Sequence, residues 1–284
     1  MLSYRGAAAL EVMQELVIEA GRTERQYWKD LWRYRELFFF LAWRDLLVRY
    51  KQTIVGAMWS ILRPLITMLV LTIVFGRLAG MPSAGVPYPL LVFCATIPWS
   101  FFAGSLTSCG DSLVGNSSLI SKVYFPRMTI PASSVMTSFA DLLISCALLA
   151  LLMMWYRFPP GRLALLAPLF ATMAFAASFG IGLWISALMV RYRDFWFILP
   201  FIVQFGLYLS PVGFTSDVVP SRWRLLYSIN PMVGTIDGFR WSLLNGATRM
   251  DWPGFLVSLT VIVVVLGTGI RYFRKTERTF ADVI

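Results

Sequence analysis

The stretch ASSVMTSFADLLISCALLALLMMWY, residues 132–156, decides the fold of this chain. A single charged residue, Asp141, interrupts its apolar run. A helix of about 20 mostly apolar residues is long enough to cross the hydrocarbon core of a bilayer. The stretch therefore predicts a membrane-spanning helix.

Similar apolar stretches lie on both sides of it, at residues 54–75, 89–110, 163–190, 195–214 and 254–272. Most are bounded by Trp or Tyr, which favour the membrane–water interface. The chain is 58% hydrophobic and 14% charged, whereas soluble domains carry about 25% charged residues. The sequence predicts an all-α polytopic membrane protein with six transmembrane helices.

Lysine and arginine indicate the orientation. If the N-terminus is inside, 18 of the 25 Lys and Arg residues fall on the inner side, and cytoplasmic loops carry the excess of such residues. Both termini and the loop at 111–131 are therefore expected in the cytoplasm. The net charge of +10 flanks apolar runs, which favours contact with membrane lipids over a nucleic-acid partner.

The predicted organisation has four parts: an N-terminal cytoplasmic segment (1–35), an interfacial amphipathic helix (36–53), a six-span domain (54–277) and a cytoplasmic tail (278–284). Short re-entrant helices are expected in the last outer loop, 215–251, because its apolar runs are too short to span and are joined by an Asn-Pro turn.

The interfacial helix has two faces at helical spacing. Phe39, Trp43 and Tyr50 lie on the face expected in the acyl boundary, and Arg44 and Arg49 on the face expected at the headgroups. A plain membrane anchor and a specific mechanical element both fit this pattern.

Two charges fall within predicted spans, where a charge needs a partner or water. Arg63 either extends to the inner surface or faces a polar pathway where it meets phosphate. Asp141 is expected to contact a neighbouring serine or a backbone group.

The fifth predicted span carries an aromatic stripe that contains one amide. This stripe either packs against other helices or lines a path for sugar rings, whose C–H faces stack on aromatic side chains. Its members are Phe197, Phe201, Gln204, Phe205 and Tyr208.

The chain contains no histidine, which removes His-based acid–base catalysis and zinc sites of the HExxH type. None of its four lysines follows a glycine, so the phosphate-binding loop of P-loop ATPases is absent. Three cysteines in apolar segments give no metal-ligand spacing. We therefore expect no catalytic residue, metal or cofactor in this chain.

Several segments, in this order and spacing, resemble the membrane subunit of type-2 ATP-binding-cassette exporters, in particular the branch that exports O-antigens, other polysaccharides and polyol phosphates. The segments are WRDLLVRYKQTIVGAMWSILRPL (43–65), IPWSFF (97–102), NSSLISKVYFPRMTIP (116–131), INPM (229–232) and FRKTERTFADVI (273–284).

The resemblance implies a homodimeric permease in the bacterial inner membrane, with two ATPase subunits that hold ATP and magnesium on its cytoplasmic face. It implies a glycan on a polyprenyl diphosphate lipid as substrate, hence a role in lipopolysaccharide biosynthesis. The diphosphate would meet basic residues near the inner leaflet, with Arg63, Lys122 and Arg127 as candidates.

Residues 116–131 match the family's cytoplasmic coupling helix, which contacts the ATPase and is expected here to stop at Pro126. The residues expected to act in it are Asn116, Ser118, Ile120, Lys122, Tyr124 and Arg127. Its two basic residues would contact the partner's acidic surface or lipid phosphates; an ordinary basic cytoplasmic loop is the alternative.

Two other functions stay open at this point. One is a membrane enzyme that acts on a polyprenyl-linked or lipid substrate, which the absence of histidine and of acidic metal motifs disfavours. The other is a permease of the same fold that exports a drug or a small lipid.

Overall fold

The computed structural model describes residues 24–51, 54–192 and 194–280. Every regular element within these ranges is a helix. The α-helices are α1 (Glu24–Arg33), α2 (Arg35–Lys51), α3 (Ile54–Leu71), α4 (Tyr88–Gly115), α5 (Ser117–Lys122), α6 (Thr129–Trp155), α7 (Ala167–Arg191), α8 (Phe195–Leu209), α9 (Ser221–Tyr227), α10 (Pro231–Leu243) and α11 (Trp252–Thr276). Predictions for residues 1–23, 52–53, 193 and 281–284 lie outside the described residues.

Shorter helical pieces complete these elements. A π-helical segment, Thr72–Leu78, extends α3, and a 3-10 turn, Arg162–Leu166, precedes α7. Further 3-10 turns cover Ser216–Val218 and Glu277–Thr279.

Five helical segments in the described ranges are long and apolar enough to cross a membrane. They are Met58–Leu78, Tyr88–Gly115, Thr129–Trp155, Arg162–Arg191 and Trp252–Thr276. Each coincides with one of the predicted apolar stretches. The prediction of an all-α polytopic membrane protein is confirmed.

The fifth predicted stretch, 195–214, is helical only as far as Leu209. Ser210 adopts an extended conformation (φ −103°, ψ 152°) because it precedes Pro211, whose ring excludes the α conformation from the residue before it. The 15 residues of α8 give about 22 Å of helix, less than the roughly 30 Å of bilayer hydrocarbon. The predicted end of this span at residue 214 was wrong, because the helix stops before Pro211.

The core is built around α4, which packs against α3, α6, α7, α8 and α10. Small residues on and around α4 allow the helices to approach closely. A Cβ atom at Gly182 of α7 would lie 2.7 Å from the sulfur of Cys109. A Cβ atom at Gly206 of α8 would lie 2.7 Å from the ring of Trp99. Both contacts tie peripheral helices to the central one.

A second apolar cluster, which we call the tail cluster, joins distant parts of the chain. It brings together α2, the segment that joins α4 to α6, α7 and the C-terminal end of α11. Its buried members are Leu41, Leu113, Ile120, Phe125, Met128, Ile130, Leu183, Ala187, Phe273 and Phe280.

Two short helices, α9 and α10, occupy the predicted outer loop, as expected. Asn230 caps α10: its side-chain oxygen accepts a hydrogen bond from the Met232 amide at 3.0 Å, and its nitrogen donates to Ser210 Oγ at 2.9 Å. Helix α10 is largely buried against α4, α7 and α11. The hairpin is therefore part of the folded core.

Candidate functional site

The predicted coupling segment, residues 116–131, joins α4 to α6 through the six-residue helix α5. Ser118, Lys122 and Tyr124 are exposed, whereas Ile120 is buried in the tail cluster. The segment thus presents polar side chains outward from a base that is fixed by apolar packing.

Pro126 does not end this helix, contrary to the sequence-based prediction. Helix α5 ends at Lys122, and Val123 is extended, with φ −129° and ψ 136°. Because a residue before proline avoids the α conformation, Phe125 cannot continue the helix either. Phe125 is instead buried in the tail cluster.

Arg127 contacts the C-terminal part of the same chain. Its Nη1 donates a hydrogen bond to the backbone carbonyl oxygen of Glu277, and its side chain is half-buried. Lys122, by contrast, is exposed. The structure therefore separates the two basic residues: one links the segment to the chain's own tail, and the other faces outward.

Arg44, which the helix pattern places on the headgroup side, has polar partners within the chain. It donates from Nη2 to Asn116 Oδ1 at 2.8 Å and to Asp45 Oδ1 at 2.7 Å. Asn116 in turn donates to the carbonyl oxygen of Ser112 at 2.8 Å. Arg44 thereby connects α2 to the point where α4 ends and the coupling segment begins.

Arg49 and Tyr50 both contact Asp141 of α6. Arg49 Nη2 lies 2.5 Å from Asp141 Oδ2, and the Tyr50 hydroxyl donates to Oδ1 at 2.6 Å. The expectation that Asp141 contacts a serine or the backbone was wrong, because its partners are two residues of the interfacial helix. The reason is that the C-terminal end of α2 lies beside the middle of α6, where a carboxylate needs a cation.

Phe39 and Trp43 are exposed on α2, as the interfacial prediction requires. Phe40 and Leu47 are exposed beside them, while Leu41 and Ala42 on the other side are buried. Helix α2 therefore packs one side on the protein and leaves an apolar side uncovered.

The five residues predicted to form a stripe on α8 lie together on its exposed side. The rings of Phe201 and Phe205 are 4.1 Å apart between centroids. Leu199 is the buried residue of this helix and faces α4 at Gly110. The stripe contacts no neighbouring helix closely enough to be buried, so intramolecular packing does not account for it.

Arg63 lies on α3, where its side chain is exposed and the following Pro64 is buried. In the span that contains it, Met58–Leu78, only 11% of the apolar stretch is buried inside the protein. Helix α3, like α8, therefore leaves most of its surface uncovered in a single copy of the chain.

Arg240 is the principal polar residue that the sequence reasoning missed, because it was counted as an outer-loop charge. It is fully buried and donates to three backbone carbonyls: Leu91 at 2.9 Å, Phe214 at 2.7 Å and Val212 at 2.7 Å. Asp237, one turn earlier, lies 3.9 Å away. This i, i+3 acidic–basic spacing in an apolar run is the signal that indicates such a pair.

Asp237 is buried beside Arg240 and accepts a hydrogen bond from Ser216 Oγ. Burial raises the pKa of its carboxyl to about 6, although Arg240 and the Ser216 hydroxyl oppose the shift. The outer hairpin therefore contains a carboxyl group that titrates in mildly acidic solution.

Known proteins are similar to this chain in sequence over most of its length. Residues 36–244 match the sequence model of the ABC-2 type transporter family. An O-antigen export system permease protein of Klebsiella pneumoniae is 26% identical over 250 residues, which cover 88% of this chain and 95% of that protein.

Two further relatives align over similar lengths. An O-antigen export system permease protein of Myxococcus xanthus is 24% identical over 259 residues, covering 90% of this chain and 98% of that protein. A polysialic acid transport protein of Escherichia coli is 19% identical over 236 residues, covering 82% of this chain and 91% of that protein. The match to the family model, together with the several membrane-spanning helices, shows that the chain is a membrane transport subunit of the ABC-2 type transporter family.

Proposed function

We propose that this chain is the permease of an exporter that moves a polysaccharide, carried on a polyprenyl diphosphate lipid, across the bacterial inner membrane. Its relatives are O-antigen export permeases and a polysialic acid transport protein, which supports a glycan as cargo. The chain supplies the path, and a partner subunit supplies the energy.

The exposed face of α8 carries this proposal. It presents four aromatic rings and the amide of Gln204 on a helix that packs on the core through Leu199. An amide in a membrane needs a hydrogen-bonding partner, and sugar hydroxyls supply one. Aromatic faces take the C–H side of sugar rings, so the stripe suits a glycan better than an acyl chain.

Two copies of the chain form the path. Helices α3 and α8 both leave large apolar surfaces uncovered, and Phe75 from the end of α3 lies 6.0 Å from Phe214 beyond the end of α8. The two helices thus border one side of the subunit. A second copy that packs on this side covers the apolar surface and encloses the polar groups.

The energy comes from two ATPase subunits that bind ATP and magnesium and dock on the cytoplasmic side. This chain has no Gly-Lys-Ser/Thr sequence with which to bind ATP in a P-loop. The coupling segment is suited to the docking because Ser118, Lys122 and Tyr124 face outward while Ile120, Phe125 and Met128 fix its base.

Both termini lie in the cytoplasm in this proposal. The excess of lysine and arginine on that side supports the orientation. The coupling segment, α1 and the end of α11 meet around the tail cluster. All three therefore lie on the same side of the membrane.

The lipid diphosphate meets exposed cations on entry. Arg63 on α3 and Lys122 on α5 are both exposed. Arg127 is the weaker candidate, because its guanidinium already donates to the Glu277 carbonyl.

Reconstitution with the cognate ATPase tests this function. We expect the permease and the ATPase to purify together, and a polyprenyl-diphosphate-linked glycan to stimulate ATP hydrolysis in nanodiscs. The matched control is the same lipid without its glycan, which should stimulate hydrolysis less. Stimulation by hydrophobic drugs but not by the glycolipid would instead favour a drug exporter.

A further inference from the structure

Helices α1 and α2 form one nearly continuous rod. The backbone N–H of Tyr34 donates to the carbonyl of Asp30 at 2.9 Å, and that of Phe38 donates to the carbonyl of Tyr34 at 3.1 Å. These are i to i−4 hydrogen bonds of the α-helical kind, one on each side of Tyr34, the single turn residue that separates α1 from α2. Side chains on the two helices can therefore be placed on one helical wheel.

On that wheel, four aromatic residues fall within roughly 60° of arc at about 100° per residue. All four are well exposed: Trp28 is 45%, Trp32 73%, Phe39 64% and Trp43 63% exposed. The apolar side of the interfacial helix α2 thus continues without a change of face along α1. Helix α1 precedes the residues that match the family model, which begin at residue 36.

The opposite side of α1 is attached to the protein. The Tyr27 hydroxyl donates to the Glu277 carboxylate at 3.0 Å, and the Arg274 guanidinium lies 4.7 Å from the centre of the Tyr27 ring. Leu31 and Tyr34 pack against the tail cluster. These contacts fix which face of α1 is left uncovered.

The same contacts bring α1 close to the membrane surface. Glu277 directly follows Thr276, the last residue of the spanning segment of α11. Because Tyr27 is bonded to that residue, α1 lies at the level where a span leaves the membrane. This level is the headgroup region, where tryptophan side chains are favoured.

The charges around the aromatic stripe are mainly basic. Among the exposed side chains within residues 27–47, three are basic (Lys29, Arg33 and Arg35) and one is acidic (Glu36). The half-buried charges are Asp30 and the Arg44–Asp45 ion pair. The Arg35 guanidinium lies 5.9 Å from the centre of the Trp32 ring. Lysine and arginine beside an aromatic face are typical of helices that bind anionic lipid surfaces.

We infer that α1 docks on the anionic phospholipid surface of the membrane, with Trp28 and Trp32 inserted among the headgroups and Lys29 and Arg35 at the lipid phosphates. It lengthens the interfacial helix of this chain beyond the part shared with the family. The uncovered face, its depth beside α11 and its positive charge all favour a lipid surface over a protein partner.

Quenching by labelled lipids tests this inference. The full chain with Trp32→Cys carries a bimane fluorophore and is placed in nanodiscs with nitroxide-bearing lipids, with either zwitterionic or anionic composition. Each basic residue near an anionic surface favours docking about fivefold, so Lys29 and Arg35 together raise the ratio of docked to undocked helix about 25-fold. We expect correspondingly stronger quenching in the anionic discs.

Matched variants separate charge from folding. Lys29→Glu/Arg35→Glu should lose the dependence on lipid charge, and Lys29→Arg/Arg35→Lys should keep it. A fluorophore at the exposed Ser121 of α5 should be unquenched in both lipid compositions. The wild type, treated with the same fluorophore, measures the background labelling of the native cysteines. Quenching at position 32 that ignores lipid charge, or protection that appears only after the ATPase is added, overturns the inference.

Discussion

Arg49 of α2 and Asp141 of α6 form an ion pair across 2.5 Å, between residues 92 positions apart in the chain. The Tyr50 hydroxyl completes the cluster on the second carboxylate oxygen. The cluster fastens the interfacial helix to the third predicted span. The cluster therefore connects α2 to α6, the helix that follows the coupling segment.

Breaking this pair should destabilise the permease. Fully buried pairs cost about 3–5 kcal/mol when one partner is removed, and exposed pairs about 0.2–1 kcal/mol. Because the Arg49 side chain is 37% exposed, we expect Asp141→Asn to cost about 1–2 kcal/mol, seen as a lower Tm in detergent. The charge-swapped Arg49→Asp/Asp141→Arg should recover part of it; no recovery would mean that the pair does not act as a unit.

Arg240→Met should cost more than any single change on the surface. It leaves the carbonyls of Leu91, Val212 and Phe214 without their donor, and each unpaired buried group costs about 1–3 kcal/mol. We expect little folded protein by size-exclusion chromatography and partial recovery with Arg240→Lys. Arg222→Met, on the exposed part of α9, is the control and should fold normally. A stable Arg240→Met protein would contradict the bonding described here.

Stability should fall as the pH rises through the titration of Asp237. Its pKa is raised by burial from 3.8 to about 6 in the folded protein, so the folded state binds the proton more tightly than the unfolded state. The stabilisation is present below about pH 4 and is lost as the pH approaches and passes about 6, with a total of about 3 kcal/mol.

Thermal unfolding at a series of pH values measures this effect. Asp237→Asn should flatten the profile over that window. Asp217→Asn should leave it in place, since Asp217 is exposed and its charge is a minor cause of the raised pKa. Arg240 and Asp251 also interact electrostatically with this carboxyl. An unchanged profile in Asp237→Asn would assign the titration to another group.

The two basic residues of the coupling segment should respond differently to substitution. Arg127→Ala removes the hydrogen bond to Glu277. We expect the free energy of unfolding to fall by about 1–3 kcal/mol, seen as a lower Tm. Lys122→Glu changes an exposed side chain and should keep the Tm while it reduces ATPase binding or coupling. Co-purification and Tm, measured on both variants, separate these effects. Equal loss of Tm in both would remove the distinction.

Length and composition were sufficient to predict most of the fold. The long apolar runs coincide with the membrane-length helices, and the Asn230–Pro231 pair gave the start of α10, because an N-cap followed by proline is a local signal. Side-chain partners far apart in sequence could not be predicted this way. Arg49 meets Asp141, and Arg240 meets Leu91, only because tertiary packing brings their helices together.

Local backbone restrictions explain the missed boundaries. The sequence reasoning treated Pro126 and the apolar run through residue 214 as helix limits. Helix α8 ends at Leu209 because Ser210 precedes Pro211. Helix α5 ends earlier than Pro126 requires, at Lys122, where Val123 turns extended. The grouping of the α8 stripe on one face was predictable, because it follows from helical periodicity alone.

Photo-crosslinking from α8 tests the central claim, that its exposed aromatic face lines the path of the glycan. Benzoylphenylalanine replaces Phe205 in the complex with the ATPase, and Phe175, an exposed residue of α7, serves as the matched control. During ATP hydrolysis, a radiolabelled lipid-linked glycan should crosslink at position 205 and not at 175. Crosslinks to phospholipid alone at both positions, in a complex that still exports, would contradict the account.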